Sequence, residues 1–209
     1  MSHVPDKDDE MAVTRERFLT GLTYEQYKSQ MTRNQDRFQA NERALVLTPE
    51  QLAPFRALPK PVDVLVLAED WCGDVIANLP ILGRVAADTG KLNVRIFLRD
   101  QNLDIMDLYL NQGQFRSIPT FVAFDDDFRE IGRFVERPAS VTKLLAEKRA
   151  ALYAAHPEFG SPTDPADQLP DDVRLQVMQG MRAIRDEIAP FANAEVVREI
   201  ARMVGATSA

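Results

Sequence analysis

The side chain best suited to chemistry in this 209-residue chain is its single cysteine, Cys72. It stands in the segment Trp71-Cys72-Gly73-Asp74, directly after an apolar run of strand length over 62–68 and before residues with helical periodicity. At or just before a helix N-terminus, unpaired backbone N–H groups and the helix dipole stabilise a thiolate. This placement points to a nucleophilic thiol.

The acidic residues beside Cys72 act against its ionisation. Glu69, Asp70 and Asp74 lie within a few residues of the sulfur, and negative charge near a thiol favours the neutral form. These carboxylates could form an acid–base pair, but the helix dipole alone favours acids in a solvated first turn. Position and charge oppose each other, so the ionisation of Cys72 at neutral pH is left open.

One cysteine also excludes several kinds of site. It rules out an intrachain disulfide and a zinc site rich in thiolates. His3 belongs to a tail that we expect to fray, and His156 belongs to a proline-rich stretch beyond the last core helix. Neither histidine favours a metal cluster or a dyad with Cys72. We therefore expect no metal and no organic cofactor.

Charge and hydropathy narrow the range of partners. With 32 acidic residues against 25 Lys and Arg, the formal charge is −7, and the basic residues are scattered, which does not favour nucleic acid. No apolar run reaches the ~20 residues of a membrane helix. Residues 1–10 are polar and acidic, unlike a signal segment. We expect a cytoplasmic protein without a membrane partner.

The elements that must position Cys72 alternate between strands and helices. Helical spacing and capping signals predict helices over about 24–41, 49–58, 75–89, 103–111 and 139–155, with Pro80 as a kink. Apolar runs and alternation predict strands over 44–47, 62–68, 93–99, 118–124 and 128–135. The last two strands flank an acidic turn over 125–127 and form an antiparallel hairpin. The order predicts an α/β fold with parallel strands, right-handed crossovers and an antiparallel edge.

The expected organisation has four parts. They are an N-terminal tail and helical extension over 1–43, an α/β domain over 44–155, a linker over 156–172 and a C-terminal helical extension over 173–209. In the first part, Tyr24, Tyr27 and Phe38 are interpreted as core contacts. The last part is expected to form two helices separated at Pro190. Their apolar faces pack on the core or form a homodimer surface.

Four segments around Cys72 resemble those of the thioredoxin superfamily. They are Trp71-Cys72-Gly73, Leu79-Pro80-Ile81-Leu82, Asp100-Gln101-Asn102 and Ile118-Pro119-Thr120, and with the element order they cover about 44–150. The resemblance implies a thioredoxin-like fold, with a central mixed sheet of about five strands flanked by helices and extra helices at both ends. It also implies that Pro119 is cis and faces Cys72, with the backbone of Ile118 available to an extended peptide.

The chain departs from the family pattern where a second thiol would act. In the familiar Trp-Cys-Gly-Pro-Cys site the second cysteine releases the reduced substrate, but here Asp74 replaces the proline and Val75 replaces that cysteine. The family's buried acid falls on Val66, and its nearby lysine falls on Ile96. These losses agree with one another, because an acid buried to serve an absent cysteine would only cost desolvation free energy. Ordinary dithiol reductase activity is not supported.

The first functional hypothesis is monothiol thiol–disulfide exchange, as in monothiol glutaredoxins. Cys72 forms an intermolecular mixed disulfide with a protein or a low-molecular-weight thiol or disulfide. Trp71 and the Ile118-Pro119 backbone form the substrate platform, and Gly73 and Asp74 supply amides at the helix start.

The second hypothesis is a redox-inactive binding module. It holds a peptide or a partner protein in the groove that is expected between Cys72 and cis-Pro119. Cys72 is then an inherited thiol, and Trp71 is a hydrophobic cap. Under the first hypothesis glutathione is the less favoured partner, because its carboxylates would meet the acids beside Cys72, although Arg99 and Arg116 could compensate.

Overall fold

The computed structural model describes residues 13–163 and 168–206. The helices in these residues are α1 (Arg15–Leu19), α2 (Tyr24–Gln30), α3 (Gln35–Ala44), α4 (Pro49–Arg56), α5 (Gly73–Thr89), α6 (Leu103–Met106), α7 (Ala139–Ala155) and α8 (Asp171–Met203). The strands are β1 (Val62–Ala68), β2 (Leu92–Leu98), β3 (Thr120–Phe124) and β4 (Glu130–Val135). Short 3₁₀ turns occupy Arg99–Gln101 and Pro157–Phe159. The chain divides into two compact units, Met1–Glu136 with Val197–Ala209, and Arg137–Val196.

A mixed sheet in the order β2-β1-β3-β4 forms the centre of the first unit. β1 pairs parallel with β2 and antiparallel with β3, and β3 pairs antiparallel with β4. β1 is apolar almost throughout and is buried from Val64 to Ala68, as expected of a strand covered on both faces. The mixed sheet with flanking helices and additional terminal helices confirms the predicted fold class, with four strands in the described residues where about five were expected.

The predicted strand over 44–47 is wrong. Ala44 ends α3, the Leu45 N–H donates to the Asn41 carbonyl at 3.0 Å, and only the Leu45 side chain of this apolar run is well buried. Val46 is 81% exposed. A strand needs a neighbouring backbone to pair with, and among residues 13–163 and 168–206 none of the strand pairings includes this segment.

Leu22 instead pairs with the outer edge of β2. Two hydrogen bonds of 2.8 Å join the Leu22 and Ile96 backbones in an isolated antiparallel bridge. One residue of the N-terminal extension therefore pairs with the β2 edge of the sheet.

The predicted helix over 24–41 is two helices. α2 begins with the capping box of Thr23 and Gln26, as its sequence indicates. It ends before Met31, and Asn34 adopts a left-handed backbone with φ of 55° before α3 starts. The interruption is used for a tertiary contact with Asp70, described below.

The helix that follows Cys72 starts at Gly73 and continues through Pro80 to Thr89. Its buried face includes Val75, Leu79, Leu82 and Val85, which lie at helical spacing. Helix α5 packs against α3, α4 and β2. The thiol is therefore carried at the end of an element that is fixed by the core.

The predicted helix over 103–111 is shorter, since α6 ends at Met106. Asn111 and Phe115 form an isolated antiparallel bridge across a tight loop, in which Gln112 and Gly113 have positive φ. Left-handed residues do not continue a right-handed helix. This loop leads directly into the segment that faces Cys72.

The predicted break at Pro190 is wrong, because α8 runs without interruption from Asp171 to Met203. Proline removes one N–H from the helix ladder. Apolar side chains are buried both before and after Pro190 along the chain, and this burial stabilises the helix across the proline. Within the second unit α7 and α8 share buried residues, namely Val141, Leu145, Ile184 and Ile188. The last turns of α8 bury Val197, Ile200 and Met203 in the first unit. Helix α7 has the predicted bounds.

Among the described residues, none of the helices combines the length and the apolar character that crossing a bilayer requires.

Candidate functional site

Cys72 is the N-cap residue of α5, with an extended backbone and a half-buried side chain. Its carbonyl accepts the first helical hydrogen bond, from the Ile76 N–H at 3.1 Å. The Cys72 thiol donates to the carbonyl oxygen of Ile118 at 3.4 Å. The next peptide bond, between Ile118 and Pro119, is cis. The segment before β3 thus lies against the sulfur through its backbone.

The remaining predicted site residues divide into exposed and buried groups. Trp71 and Gly73 are exposed, and Asp74 is half-buried. Ile118 and Pro119 are buried, and Ile118 meets the Cys72 thiol through its carbonyl oxygen. The structure therefore brings Cys72 together with the backbone beside Pro119 and leaves Trp71 open to solvent on the adjacent side.

Trp71 is covered on one side by a cation. The Arg99 guanidinium lies 4.9 Å from the centre of the indole ring, and Trp71 keeps 42% of its surface exposed. Arg99 also donates to Asp100 Oδ1 at 2.7 Å and to the Arg116 carbonyl at 3.2 Å. Arg99 therefore joins the tryptophan loop to the loop before Pro119.

The positive charges near Trp71 are already paired. Arg116 donates two hydrogen bonds to the carboxylate of Asp107, at 2.7 and 2.8 Å, and these bonds hold the pKa of Asp107 below its usual range. Arg99 is paired with Asp100. Neither arginine has an unpaired charge to offset the carboxylates of a small anionic thiol.

Glu69 is not part of a solvated turn, which corrects the sequence interpretation. Only 9% of its surface is exposed, and its Oε1 accepts the Asp100 N–H at 2.8 Å. Burial raises the pKa of Glu69, although the hydrogen bond from Asp100 acts in the opposite direction. The Glu69 carbonyl also accepts the Cys72 N–H at 3.2 Å. This acid shapes the loop that carries the thiol.

Asp70 binds the interruption between α2 and α3. Its Oδ2 accepts the backbone N–H groups of Thr32 and Arg33, at 2.7 and 2.9 Å, and the Thr32 hydroxyl at 3.1 Å. Its carbonyl accepts the Asn34 side-chain amide at 2.9 Å. Asp70 lies two residues before Cys72. These hydrogen bonds therefore attach the N-terminal extension to residues 69–72, the thiol loop.

Tyr27 is a core residue, as its spacing indicates, but its hydroxyl distinguishes it from the aromatic residues around it. The residue is 1% exposed, and its ring packs 6.2 Å from that of Phe38. Its hydroxyl has no hydrogen-bond partner in the described part of the chain. Burial, and then the negative charges of Asp70 and Glu69, raise the pKa of Tyr27, and a negative charge on Cys72 would act in the same direction. Helical spacing places Tyr27 on a buried face, but no sequence signal shows that its hydroxyl lies near the thiol.

The positions where the family pattern has its second thiol and its proton-transfer groups are apolar and closed to solvent. Val75, Val66 and Ile96 are each fully buried. Val66 and Ile96 are direct neighbours in the β1–β2 register. Apolar, fully buried side chains therefore occupy all three positions.

His156 has partners of its own within the second unit. Its Nδ1 lies 2.9 Å from Glu158 Oε1, and its ring stacks on Phe159 with centroids 4.6 Å apart. Among the described residues, no three His, Cys, Asp or Glu side chains converge in a way that could hold a metal ion.

Comparison with known proteins places this geometry in a family. A family model described as Thioredoxin matches residues 21–151. The solved structure of a protein of unknown function from Pseudomonas aeruginosa is similar, with 19% identity, a TM-score of 0.59 and coverage of 84% of this chain and 98% of that chain. An HIV epitope scaffold has 19% identity, a TM-score of 0.58 and coverage of 84% and 99%. At this identity the two structures show a shared fold alone. No curated protein matches the chain.

Proposed function

The chain belongs to the thioredoxin family, and from this premise we propose that it is a monothiol thiol–disulfide exchange protein that acts through Cys72. One observation carries the proposal: the Cys72 thiol stands at the N-cap of the 17-residue helix α5, 3.4 Å from the Ile118 carbonyl. Backbone N–H groups of the first turn favour the thiolate there.

The proposed reaction is an exchange in which the second sulfur comes from another molecule. The Cys72 thiolate attacks one sulfur of a substrate disulfide, forms a mixed disulfide with it, and expels the other sulfur as a thiolate that takes up a proton. A second thiol, ionised, then attacks the substrate sulfur of the mixed disulfide and releases Cys72 as a thiolate. A reducing compartment such as the cytoplasm would supply that thiol. Val75 cannot perform the second step.

The site residues have separate roles in this proposal. Trp71 and the Ile118-Pro119 backbone form the platform for the substrate, and the amides of Gly73 and Asp74 hold the thiolate. Because the charges of Arg99 and Arg116 are paired, a protein disulfide is a better substrate than one that contains glutathione.

The hydrogen bonds of the neighbouring acids support ionisation of the thiol. The Glu69 carboxylate accepts an N–H from Asp100, and the Asp70 carboxylate accepts two N–H groups and a hydroxyl from residues 32–33. Such donors offset part of the negative charge that each acid presents to the sulfur. The neighbouring acids therefore oppose ionisation of Cys72 less than the sequence alone indicates, because hydrogen bonds from distant segments offset part of their charge.

The proposal is tested on the full chain with a symmetrical peptide disulfide as the substrate. Intact-mass spectrometry should show one peptide added per chain and its loss after a small thiol is supplied, and Cys72→Ser should form no adduct. The pH dependence of Cys72 alkylation should give an apparent pKa below the ~8.5 of an ordinary cysteine. A value at or above ~8.5, together with no adduct, contradicts the proposal.

A second candidate function, a redox-inactive binding module, is favoured by the exposed aromatic residues around the site. Trp71 is 42% and Phe115 is 56% exposed. In this case the same peptide with serine in place of its cysteine, which cannot form a disulfide, should bind equally well to the native chain and to Cys72→Ser. Trp71→Ala should weaken the binding. Fluorescence-anisotropy titration of a labelled peptide distinguishes the two functions.

A further inference from the structure

The hydroxyl of Tyr27 is a buried polar group that the fold leaves without a partner. Within residues 13–136 and 197–206, it is the one buried side-chain oxygen or nitrogen that lacks a hydrogen bond. Leaving such a group unpaired costs free energy, and native structures avoid this unless the group has another use. The Phe38 ring packs beside Tyr27, so this part of the core also contains an aromatic ring without a hydroxyl.

The Cys72 sulfur changes its hydrogen-bonding needs when it ionises. As a thiol it donates to the Ile118 carbonyl oxygen. A thiolate has no proton to donate, and a carbonyl oxygen facing it is repulsive, so the ionised sulfur needs donors. The amides at the start of α5 are one source of donors.

We propose that the Tyr27 hydroxyl is a further donor for this site, and that it stabilises the thiolate of Cys72 by a hydrogen bond formed when the sulfur ionises. The role rests on the proposed exchange function, since it assigns a residue to the same sulfur. It adds to the site a side chain from the N-terminal extension, outside the elements of the central sheet.

The geometry that supports the proposal is the attachment of α2 to the thiol loop. Tyr27 lies on α2, and the residues just after α2 bind Asp70 through the N–H groups of Thr32 and Arg33. Asp70 is two residues from Cys72, whose N–H is held by the Glu69 carbonyl. Tyr27 is 1% exposed, and the charges of this loop, at Asp70 and Glu69, act on its hydroxyl.

The charge environment keeps Tyr27 a donor. Burial and the nearby negative charges raise the pKa of Tyr27, so the hydroxyl stays protonated while Cys72 ionises. In the described part of the chain, charged and titratable groups near Cys72 include Glu69 and Asp70 in the loop, Asp74 at the start of α5, Tyr27 on α2, and Arg99 over Trp71. Of these, Tyr27 is the neutral donor that a single-atom substitution removes.

The test compares Tyr27→Phe with Tyr24→Phe in the full chain. Tyr24 lies on the same helix, and its hydroxyl donates to Glu42 at 2.8 Å, so its replacement removes a hydroxyl with a different partner. The rate of Cys72 alkylation by iodoacetamide is measured from pH 5 to 10. We expect Tyr27→Phe to raise the apparent pKa of Cys72 by about 0.5 to 1 unit, which lowers the rate about three- to tenfold at pH values below both pKa values. Tyr24→Phe should leave the profile unchanged.

Urea unfolding of the same variants separates this role from a structural one. At a pH below the apparent pKa of Cys72, Tyr27→Phe removes a hydroxyl without a partner, so its midpoint should equal or exceed that of the native chain. Superimposable alkylation profiles for Tyr27→Phe and the native chain, or an equal shift in Tyr24→Phe, overturn the inference. Adduct formation with the peptide disulfide is scored separately. An adduct with no shift in Tyr27→Phe rejects the inference alone, and a shift without any adduct rejects the exchange function alone.

Discussion

Replacement of Asp70 by alanine tests whether the N-terminal extension is fastened to the thiol loop. The substitution removes three hydrogen bonds to Oδ2, from Thr32 N, Thr32 Oγ1 and Arg33 N, and leaves the Asn34 bond to the Asp70 carbonyl in place. Hydrogen bonds to a charged acceptor contribute about 1.5 to 3 kcal/mol each when buried. These bonds are exposed to water, so we assign about 1 kcal/mol to each, and the loss should be about 2 to 3 kcal/mol.

The assay is urea unfolding followed by circular dichroism, with Asp88→Ala as the control. Asp88 forms an exposed ion pair with Arg84 one turn away, at 2.8 Å, and its loss should change the free energy of unfolding by no more than about 0.5 kcal/mol. Amide hydrogen exchange should accelerate at Thr32 and Arg33 in Asp70→Ala alone. A change in stability equal to that of Asp88→Ala, with unaltered exchange at these two amides, would refute the reasoning.

Three further substitutions test the buried acid Glu69, the strand that was wrongly predicted over 44–47, and the second cysteine that Val75 replaces. Because burial raises the pKa of Glu69, the stability linked to its protonated form is present below the unfolded pKa and is lost as pH rises through the folded pKa. Glu69→Gln should therefore gain more stability over the native chain at pH 7 than at pH 4, in parallel urea titrations. Val46→Asp should change the unfolding free energy by less than about 0.5 kcal/mol, since the side chain is exposed; a cost above 2 kcal/mol would restore the predicted strand. Val75→Cys should shorten the lifetime of the mixed disulfide with a peptide by placing a second thiol in the first turn of α5, as quenched-flow mass spectrometry would show.

The elements predicted best are those with strong local patterns. β1 lies where its nearly unbroken apolar run indicates, α7 has its predicted bounds, and the hairpin of β3 and β4 spans the acidic turn. The position of Cys72 between β1 and α5 also follows from local sequence, because a strand-length apolar run and a helical periodicity meet there. The family match over residues 21–151 confirms the recognised resemblance.

The features that the sequence did not predict depend on distant partners. The break between α2 and α3 satisfies an acid 37 residues away, since Arg33 N donates to Asp70 Oδ2. The run 44–47 has strand composition, yet a bridge from Leu22 occupies part of the β2 edge. Pro190 ends an isolated helix more readily than one whose apolar face is buried on both sides of it. Helical periodicity indicates which face of a helix is buried. It could therefore not predict that the buried Tyr27 hydroxyl lacks a hydrogen-bond partner in the described residues.

The exposed indole of Trp71 makes the site observable without any label. The chain contains one tryptophan, so its entire tryptophan emission arises from the residue next to Cys72, whose ring lies under the Arg99 guanidinium. A peptide that covers the exposed part of the ring, or that draws Arg99 away from it, changes the emission wavelength or intensity at that one point. Occupancy of the Cys72 groove can therefore be followed in real time by the intrinsic fluorescence of the native chain.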